Sequence, residues 1–211
     1  MATVAEIEAL GRRASAIDCN LANEAAVRQL LCRAAAELGR VSCLVNNASL
    51  FEQDDATSLS QSLLDAHMHT NLLAPLLLSQ ALYDATPPME RSVAINILDQ
   101  KLFNPNPDFL SYTLSKASLH SATTLLAQAL APRVRVVGVA PGITLVSGEQ
   151  SPESFDRAHA VTPLGKSSTP HDVAAAVCFL AESPAITGTT LLVDGGQHLM
   201  PLARDVMFLT P

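Results

Sequence analysis

Four compact apolar runs in this chain each end on a short polar or glycine-containing stop, with helix-length segments between them. Val41–Val45 stops at Asn46-Asn47, Ser92–Leu98 at Asp99, the β-branched run Val134–Val139 at Pro141-Gly142, and Thr190–Val193 at Asp194-Gly195-Gly196. Apolar runs of this length, bounded by turn residues, suit strands covered on both faces. The segments between them read as helices at about Asn23–Leu38 (closed by Gly39), Ser58–Asp84, Leu110–Leu130 and His171–Glu182. Such alternation predicts an α/β fold, a doubly wound parallel sheet between two helical layers. A further short strand is expected at Ala14–Cys19, and Pro75 is expected to kink the second helix. Residues 143–169 are polar and rich in Ser, Thr and Pro, so they are expected to be irregular and mobile. With neither repeat nor linker, residues 1–211 read as one domain.

The composition agrees with that architecture. Of 211 residues 48% are apolar but only 4% aromatic, with no Trp, so Ala, Leu and Val must build the core. Small side chains let helices approach a sheet closely, and this apolar fraction excludes a disordered chain. Thirteen Lys and Arg against 20 Asp and Glu give a net charge of −7, which argues against a nucleic-acid partner. Cys19, Cys32, Cys43 and Cys178 are widely spaced and form no CxxC pair, and they read as buried, reduced thiols of a cytosolic protein. The first residues carry neither the basic flank nor the apolar run of a signal peptide, and Leu72–Leu78 is short and contains Pro75. No membrane span and a cytoplasmic location are therefore expected.

Chemistry enters with Tyr112-Thr-Leu-Ser-Lys116 on the third of these helices. Positions i and i+4 share a helix face, and an ammonium beside a phenol favours the phenolate, lowering its pKa toward a range useful for proton transfer. Such a pair can also be a surface coincidence, so its context decides. Asn46-Asn47-Ala48-Ser49 follows one strand, Asn71 lies in His69-Thr-Asn-Leu-Leu-Ala-Pro75, and Val93–Leu98 ends at Asp99. Pro141-Gly142 follows the next strand, and Val193-Asp-Gly-Gly196 lies near the C-terminus. In order and spacing these motifs resemble the short-chain dehydrogenase/reductase family from about residue 14 to residue 199.

The resemblance implies a Rossmann-type sheet and a nicotinamide-dependent oxidoreductase acting on a small molecule. It makes Tyr112 the proton donor, with Lys116 lowering its pKa and holding the nicotinamide ribose. It gives Asn71 a water relay to that lysine, places Asn46 and Ala48 beside the adenosine, and turns Pro141, Gly142 and Thr144 toward the nicotinamide. Asn20 falls where the family often has an adenine-contacting Asp. NADP(H) is the cofactor the resemblance implies, with NAD(H) left open. The small-residue helix around Ala117, Ala122, Ala127 and Ala131 lies where the family commonly forms a subunit interface, which implies a homodimer or homotetramer. Packing on its own sheet is the simpler use of those alanines.

Two departures from the family pattern stand out. Thirteen residues before the tyrosine, where the family usually has a Ser that donates to a substrate carbonyl, this chain has Asp99. An ionised carboxylate only accepts hydrogen bonds and opposes a developing alkoxide, so it favours a substrate that presents an N–H or a C=N bond gaining a proton. The stretch Asn96–Lys116 and the Gly-Gly-Gln-His198 ending resemble the pteridine reductase branch, which includes dihydromonapterin and alternative dihydrofolate reductases. The alternatives are a general carbonyl reductase, with Asp99 only capping a loop or pairing with Lys101. The other departure is that no glycine pattern forms the phosphate-binding turn with which the family opens. Residues 1–13 resemble the end of its second helix, so an N-terminally truncated sheet with weak dinucleotide binding is expected. Ala14–Cys19 would then shift inward to pair with Val41–Val45, or another chain would cover the gap, or the fold would be weak. A non-catalytic relative that associates with complete subunits, and a start upstream of Met1, are the corresponding alternatives.

The remaining candidates read mostly as structural. His67 and His69, spaced i, i+2, face apart and do not suggest a metal site; His171 reads as a helix-start residue, and His198 can reach toward a pocket. Phe103 and Phe109 flank the loop after Asp99, and Phe103 is a candidate to stack on a flat substrate ring.

Overall fold

The apolar runs become the sheet. In the computed structural model, which describes residues 2–146 and 151–209, β1 (Cys43–Asn46), β2 (Ser92–Ile97), β3 (Val134–Pro141) and β4 (Thr190–Val193) pair in that order, all parallel. Val45 lies opposite Ile95, Ile95 opposite Val137, and Val139 opposite Leu191. The helices are α1 (Ala2–Ala9), α2 (Glu24–Leu38), α3 (Gln61–Met68), α4 (Ala74–Ala85), α5 (Leu110–Leu130), α6 (Pro152–Ala160), α7 (Pro170–Glu182) and the short α8 (Val206–Leu209).

Strand parity sorts the core into two halves, because successive side chains point to opposite faces. Ala94, Val134 and Val136 pack with Val27 and Leu31 of α2, Leu77, Leu78 and Leu82 of α4, and Ala127 of α5. Val93, Ile95, Val137 and Val139 pack on the other face with Ala176 and Leu180 of α7. The result is a Rossmann-like, three-layer α/β fold, as the alternation predicts. Local signals set the helix ends. Asn23 accepts from the Ala26 N–H to start α2, and Gly39, at φ 91°, sends its N–H back to the Ala35 carbonyl. Thr169 and Asp172 form a capping box around Pro170 at the head of α7.

Four expectations need correction. Ala14–Cys19 is not a strand: a strand exists only by pairing, and among the described residues no ladder forms on the outer side of β1. Cys19 instead packs against the α2–α4 core. Pro75 does not kink one long helix; α3 passes through a π-helical segment, His69–Leu73, into α4, with Pro75 in the first turn. The wider turn sends the Ala74 N–H to the His69 carbonyl, five residues back, just before the residue that has no N–H to give. The polar stretch 143–169 is not wholly irregular, since Ser151 caps α6 with Pro152 at its head; residues 147–150 of that stretch lie outside the described residues. Finally, the cysteines are unpaired, but Cys32, Cys43 and Cys178 are exposed and Cys19 is half-buried.

Gly138 leaves no room for a side chain between β3 and β4. A Cβ there would lie 2.6 Å from Thr190 Oγ1 and 2.7 Å from Leu98 Cδ1. Gly138→Ala is therefore expected to destabilise the protein by about 1–3 kcal/mol through overpacking, read from the urea-unfolding midpoint.

Candidate active site

The loops that leave the C-terminal ends of the parallel strands converge on a cavity of about 340 Å³. Ser49 and Phe51 reach it from the loop after β1, Asp99 after β2, Gly142 and Thr144 after β3, and Gln197 after β4. This is the position where open parallel sheets place their ligands. The segment around Leu202–Met207 forms a further wall.

Tyr112 and Lys116 share the face of α5 that turns toward the strand ends, and both are almost fully buried. The Tyr112 hydroxyl donates to Asp99 Oδ2 at 2.8 Å, while Asp99 Oδ1 accepts the Lys101 backbone N–H at 2.8 Å. Asp99 thus both caps a 3₁₀ turn (Gln100–Phe103) and holds the phenol. The Lys116 ammonium donates to the Ile97 carbonyl at 2.8 Å and lies 5.8 Å from the Tyr112 ring centroid.

The electrostatics overturn one expectation. Lys116 does not pull the phenol down; burial, and then the Asp99 carboxylate, push Tyr112 well above its ordinary value. Burial also raises the Asp99 carboxyl, against the Lys101 N–H, the Tyr112 hydroxyl and the Lys116 ammonium. Lys116 is lowered to about 8 by desolvation, with Asp99 opposing. The three groups form a nearly dry set in which the neutral forms are favoured, protonated for Tyr112 and Asp99 and unprotonated for Lys116.

Asn71 sits at the middle of the π-helical segment with every side-chain hydrogen-bonding group committed. Its Oδ1 accepts from the Leu50 N–H at 2.8 Å and from Ser49 Oγ at 3.2 Å. Its Nδ2 donates to the Leu50 carbonyl at 2.9 Å and to Ser115 Oγ at 3.0 Å. Pro75, four residues on, withholds the N–H an α-helix would offer to the Asn71 carbonyl. Asn46 is tied inward: its Nδ2 donates to Asn96 Oδ1 at 2.8 Å, and Asn96 Nδ2 to Thr123 Oγ1 at 2.9 Å.

The cofactor candidates divide into two groups. Tyr112, Gly142 and Thr144 line the cavity; Lys116 lies behind Tyr112, and Pro141 ends β3. Thr144 Oγ1 holds that turn through the Gly142 carbonyl at 2.9 Å and Ser168 Oγ at 2.8 Å. Asn20, Asn46 and Ala48 do not line it. Asn20 is exposed and accepts from the Ala22 N–H; Ala48 is exposed after β1. Phe103 is not a cavity residue either, since its ring packs edge-on against His120 at 5.4 Å. Phe51 supplies the aromatic wall instead, stacked on Phe109 at 4.3 Å and edge-on to Tyr112 at 4.7 Å. His198 is held by Asp194 at 2.7 Å.

Asp54 carries out a task no sequence pattern announces. Phe109 precedes α5 at φ 55° with no side-chain cap, and Asp54, buried in the loop after β1, takes over. Its carbonyl accepts the Leu110 N–H at 3.2 Å and its Oδ1 the Ser111 N–H at 3.0 Å. Beneath them buried His67 accepts the Glu52 N–H at Nε2, which makes Nδ1 the donor to Ser111 Oγ at 2.8 Å. His67 is thus a neutral packing histidine, its pKa lowered by burial against the pull of Asp54 and Glu52.

Sheet, cavity and the Tyr–Lys pair on α5 define an NAD(P)-dependent α/β oxidoreductase class. Residues 1–198 match the family model described as enoyl-(acyl carrier protein) reductase. The chain belongs to the short-chain dehydrogenase/reductase family. It is similar to the FolM alternative dihydrofolate reductase 1 of Brucella canis complexed with NADP, with a TM-score of 0.91 and 39% identity over 97% of this chain and 81% of that one. A short-chain dehydrogenase of Burkholderia cenocepacia in complex with NADP superposes with a TM-score of 0.84 and 33% identity, over 93% of this chain and 81% of that one. Among the curated relatives, the 2-dehydro-3-deoxy-D-gluconate 5-dehydrogenase of Escherichia coli is 32% identical, over 92% of this chain and 80% of that protein. No helix among the described residues is long and apolar enough to cross a membrane.

The lowered Lys116 pKa has a consequence for stability. Below about pH 8 the ammonium is charged in both folded and unfolded chains, and folding bears the full cost of burying it. Between about 8 and the ordinary 10.5 the unfolded chain binds more protons, so the lysine's contribution to stability rises with pH. Wild type is therefore expected to gain stability relative to Lys116→Met between pH 7 and 9.5, by urea unfolding at both values; a constant difference would refute the assignment.

Proposed function

We propose that this protein uses NADP(H) to reduce a C=N bond in a pterin-like heterocycle, with Tyr112 and Asp99 acting as one proton-handling unit. The observation that carries the reading is the 2.8 Å hydrogen bond from the Tyr112 hydroxyl to Asp99 Oδ2 inside the cavity. A carbonyl substrate needs a donor where its alkoxide develops, and a carboxylate there opposes that charge. An imine nitrogen gains a proton as hydride arrives, so a buried carboxyl raised in pKa suits it. The resemblance to FolM, a protein described as an alternative dihydrofolate reductase, supports the same substrate class.

The residues present suit the nicotinamide half of the cofactor. Lys116 would hold the ribose, and the Pro141–Thr144 turn, fixed by Ser168 and by the Ile143 N–H on Gln197 Oε1, would face the ring. When bound, the reduced nicotinamide supplies the hydride. On the adenosine side Ala48 is the exposed candidate, while Asn20 and Asn46 are engaged within the chain. Asn71, which meets the imino nitrogen of Pro75 instead of an N–H four residues on, would support a water relay toward Lys116 that replaces the proton Tyr112 gives up. Phe51 would lie against the substrate ring in the role expected of Phe103. A homodimer or homotetramer through α5, where Leu114 and Leu125 are exposed, belongs to this reading.

With NADPH and a dihydropterin, Tyr112→Phe is expected to lower kcat by at least about 100-fold. Asp99→Ser should lower kcat/KM on dihydropterins by about 100-fold and on simple ketones by less than about 10-fold. Equal losses on both substrates would remove the role given to Asp99 and favour a general carbonyl reductase.

A further inference from the structure

One largely buried ion pair in the cavity stands outside the Tyr112–Asp99 hydrogen bond, although the Asp205 carboxylate adds to the rise of both those groups. Lys101 is 3% exposed, and its ammonium meets Asp205 Oδ2 at 3.1 Å across a wall of the cavity that both residues line. Among the described residues that is the only hydrogen bond the ammonium makes, so two of its three N–H groups remain uncommitted. Its stem crosses Phe109, with the charge 5.2 Å from the ring centroid.

Anchoring the C-terminal segment does not account for the pair. That segment is held independently: Arg204 clasps the Asp108 carboxylate with 2.9 Å bonds to both oxygens, and the Asp205 N–H donates to Asp108 Oδ2 at 2.7 Å. Asn104 Nδ2 donates to the Met200 carbonyl at 2.7 Å, and Phe208 stacks on Phe109 at 5.9 Å. A buried pair also bears a desolvation cost that its attraction seldom repays, and an apolar pair of equal volume would pack as well. Beside an open cavity, however, the two charges offer a directional pattern, a donor next to an acceptor.

We infer that Lys101 and Asp205 form a substrate-reading pair that selects a flat heterocycle through a lactam edge, Lys101 donating to the ring carbonyl and Asp205 accepting from the adjacent ring N–H. The inference rests on the pterin reading and deepens it, since a pterin carries that edge on the ring fused to the one being reduced. A ring bearing an amine in place of the carbonyl presents a donor to the ammonium and a lone pair to the carboxylate, and is rejected. Specificity built this way is strong, because the wrong ring turns a donor to the ammonium and a lone pair to the carboxylate, and neither can be satisfied.

The test is equilibrium binding, by ligand fluorescence with NADP⁺ present, of pterin and of its diamino counterpart to the full chain. Lys101→Met should weaken pterin binding at least about tenfold, change binding of the diamino ring by less than about threefold, and leave Lys101→Arg near wild type. Equal effects on the two probes, or none on pterin, would overturn the inference while leaving the catalytic reading intact. If wild type binds no pterin, the substrate reading and the inference fall together, a result distinct from either of those. Should Lys101→Met melt at assay temperature, Asp205→Asn carries the test, because Asp108 and Phe109 still hold its segment: at least about fivefold weaker pterin binding supports the inference, and unchanged binding overturns it.

Discussion

The side chain of Asn71 joins the parts that make the site. Its four hydrogen bonds reach the loop after β1 through Ser49 and Leu50, and α5 through Ser115. Ser115 in turn donates to the Tyr112 carbonyl at 2.6 Å, so the carboxamide bears on the turn that carries the phenol. A carboxamide has the donors and acceptors to satisfy all of these at once, and an aliphatic side chain there would leave buried polar groups unpaired. The π-helical segment supplies the needed rotation, since an extra residue in the turn re-aims the side chains that follow it. Backbone distortion, proline and asparagine thus act together: the wide turn presents Asn71, and Pro75 tolerates and extends the break.

With the helix fixed, electrostatics decide what the phenol can do. In water Tyr112 and Asp99 would titrate far apart; placed 2.8 Å from each other in a nearly dry site, neither ionises independently. The hydroxyl keeps its proton and donates it in a hydrogen bond to the carboxylate, and Lys116 stands behind with a reduced affinity for its own proton. A tyrosine meant to become phenolate needs a cation as its nearest polar neighbour, and in this site that neighbour is a carboxylate. The site therefore favours the neutral phenol over the phenolate.

What the residues alone revealed follows the range of the forces involved. The strand Thr190–Val193 and helix Leu110–Leu130 run to their expected ends, because burial leaves an unbroken apolar run or a helical period along the chain. Tyr112, Lys116 and Asp99 were readable for a similar reason: four residues on a helix, or the end of a strand, determine which side chains meet. Ala14–Cys19 has strand composition without a neighbouring ladder, and pairing is a tertiary property that composition does not carry. Helix α6 hides in a polar stretch because its start depends on Ser151 and Pro152 more than on apolar spacing. Asp54 caps α5 from 57 residues away, and Lys101 meets Asp205 across 104. Contacts at such separations leave no local period, so nothing along the chain marks them.

Those distant contacts also explain how a stable fold accommodates a strained site. Phe109 holds a left-handed backbone with no side-chain cap of its own, an arrangement that costs of order 1–3 kcal/mol for a bulky residue. The surroundings over-determine it: Asp54 satisfies the first N–H groups of α5, Phe51 and Phe208 stack on the ring, and Lys101 lies across it. Turning the chain there sets the start of α5, and with it the positions of Tyr112 and Lys116 one and two turns further on. The same ring supports Phe51 on the cavity side and the C-terminal segment on the other, so the wall beside the phenol and the wall that carries Asp205 share one support. The wall beside Tyr112 and the wall that carries Asp205 are therefore mechanically coupled through Phe109, although that residue does not itself line the cavity.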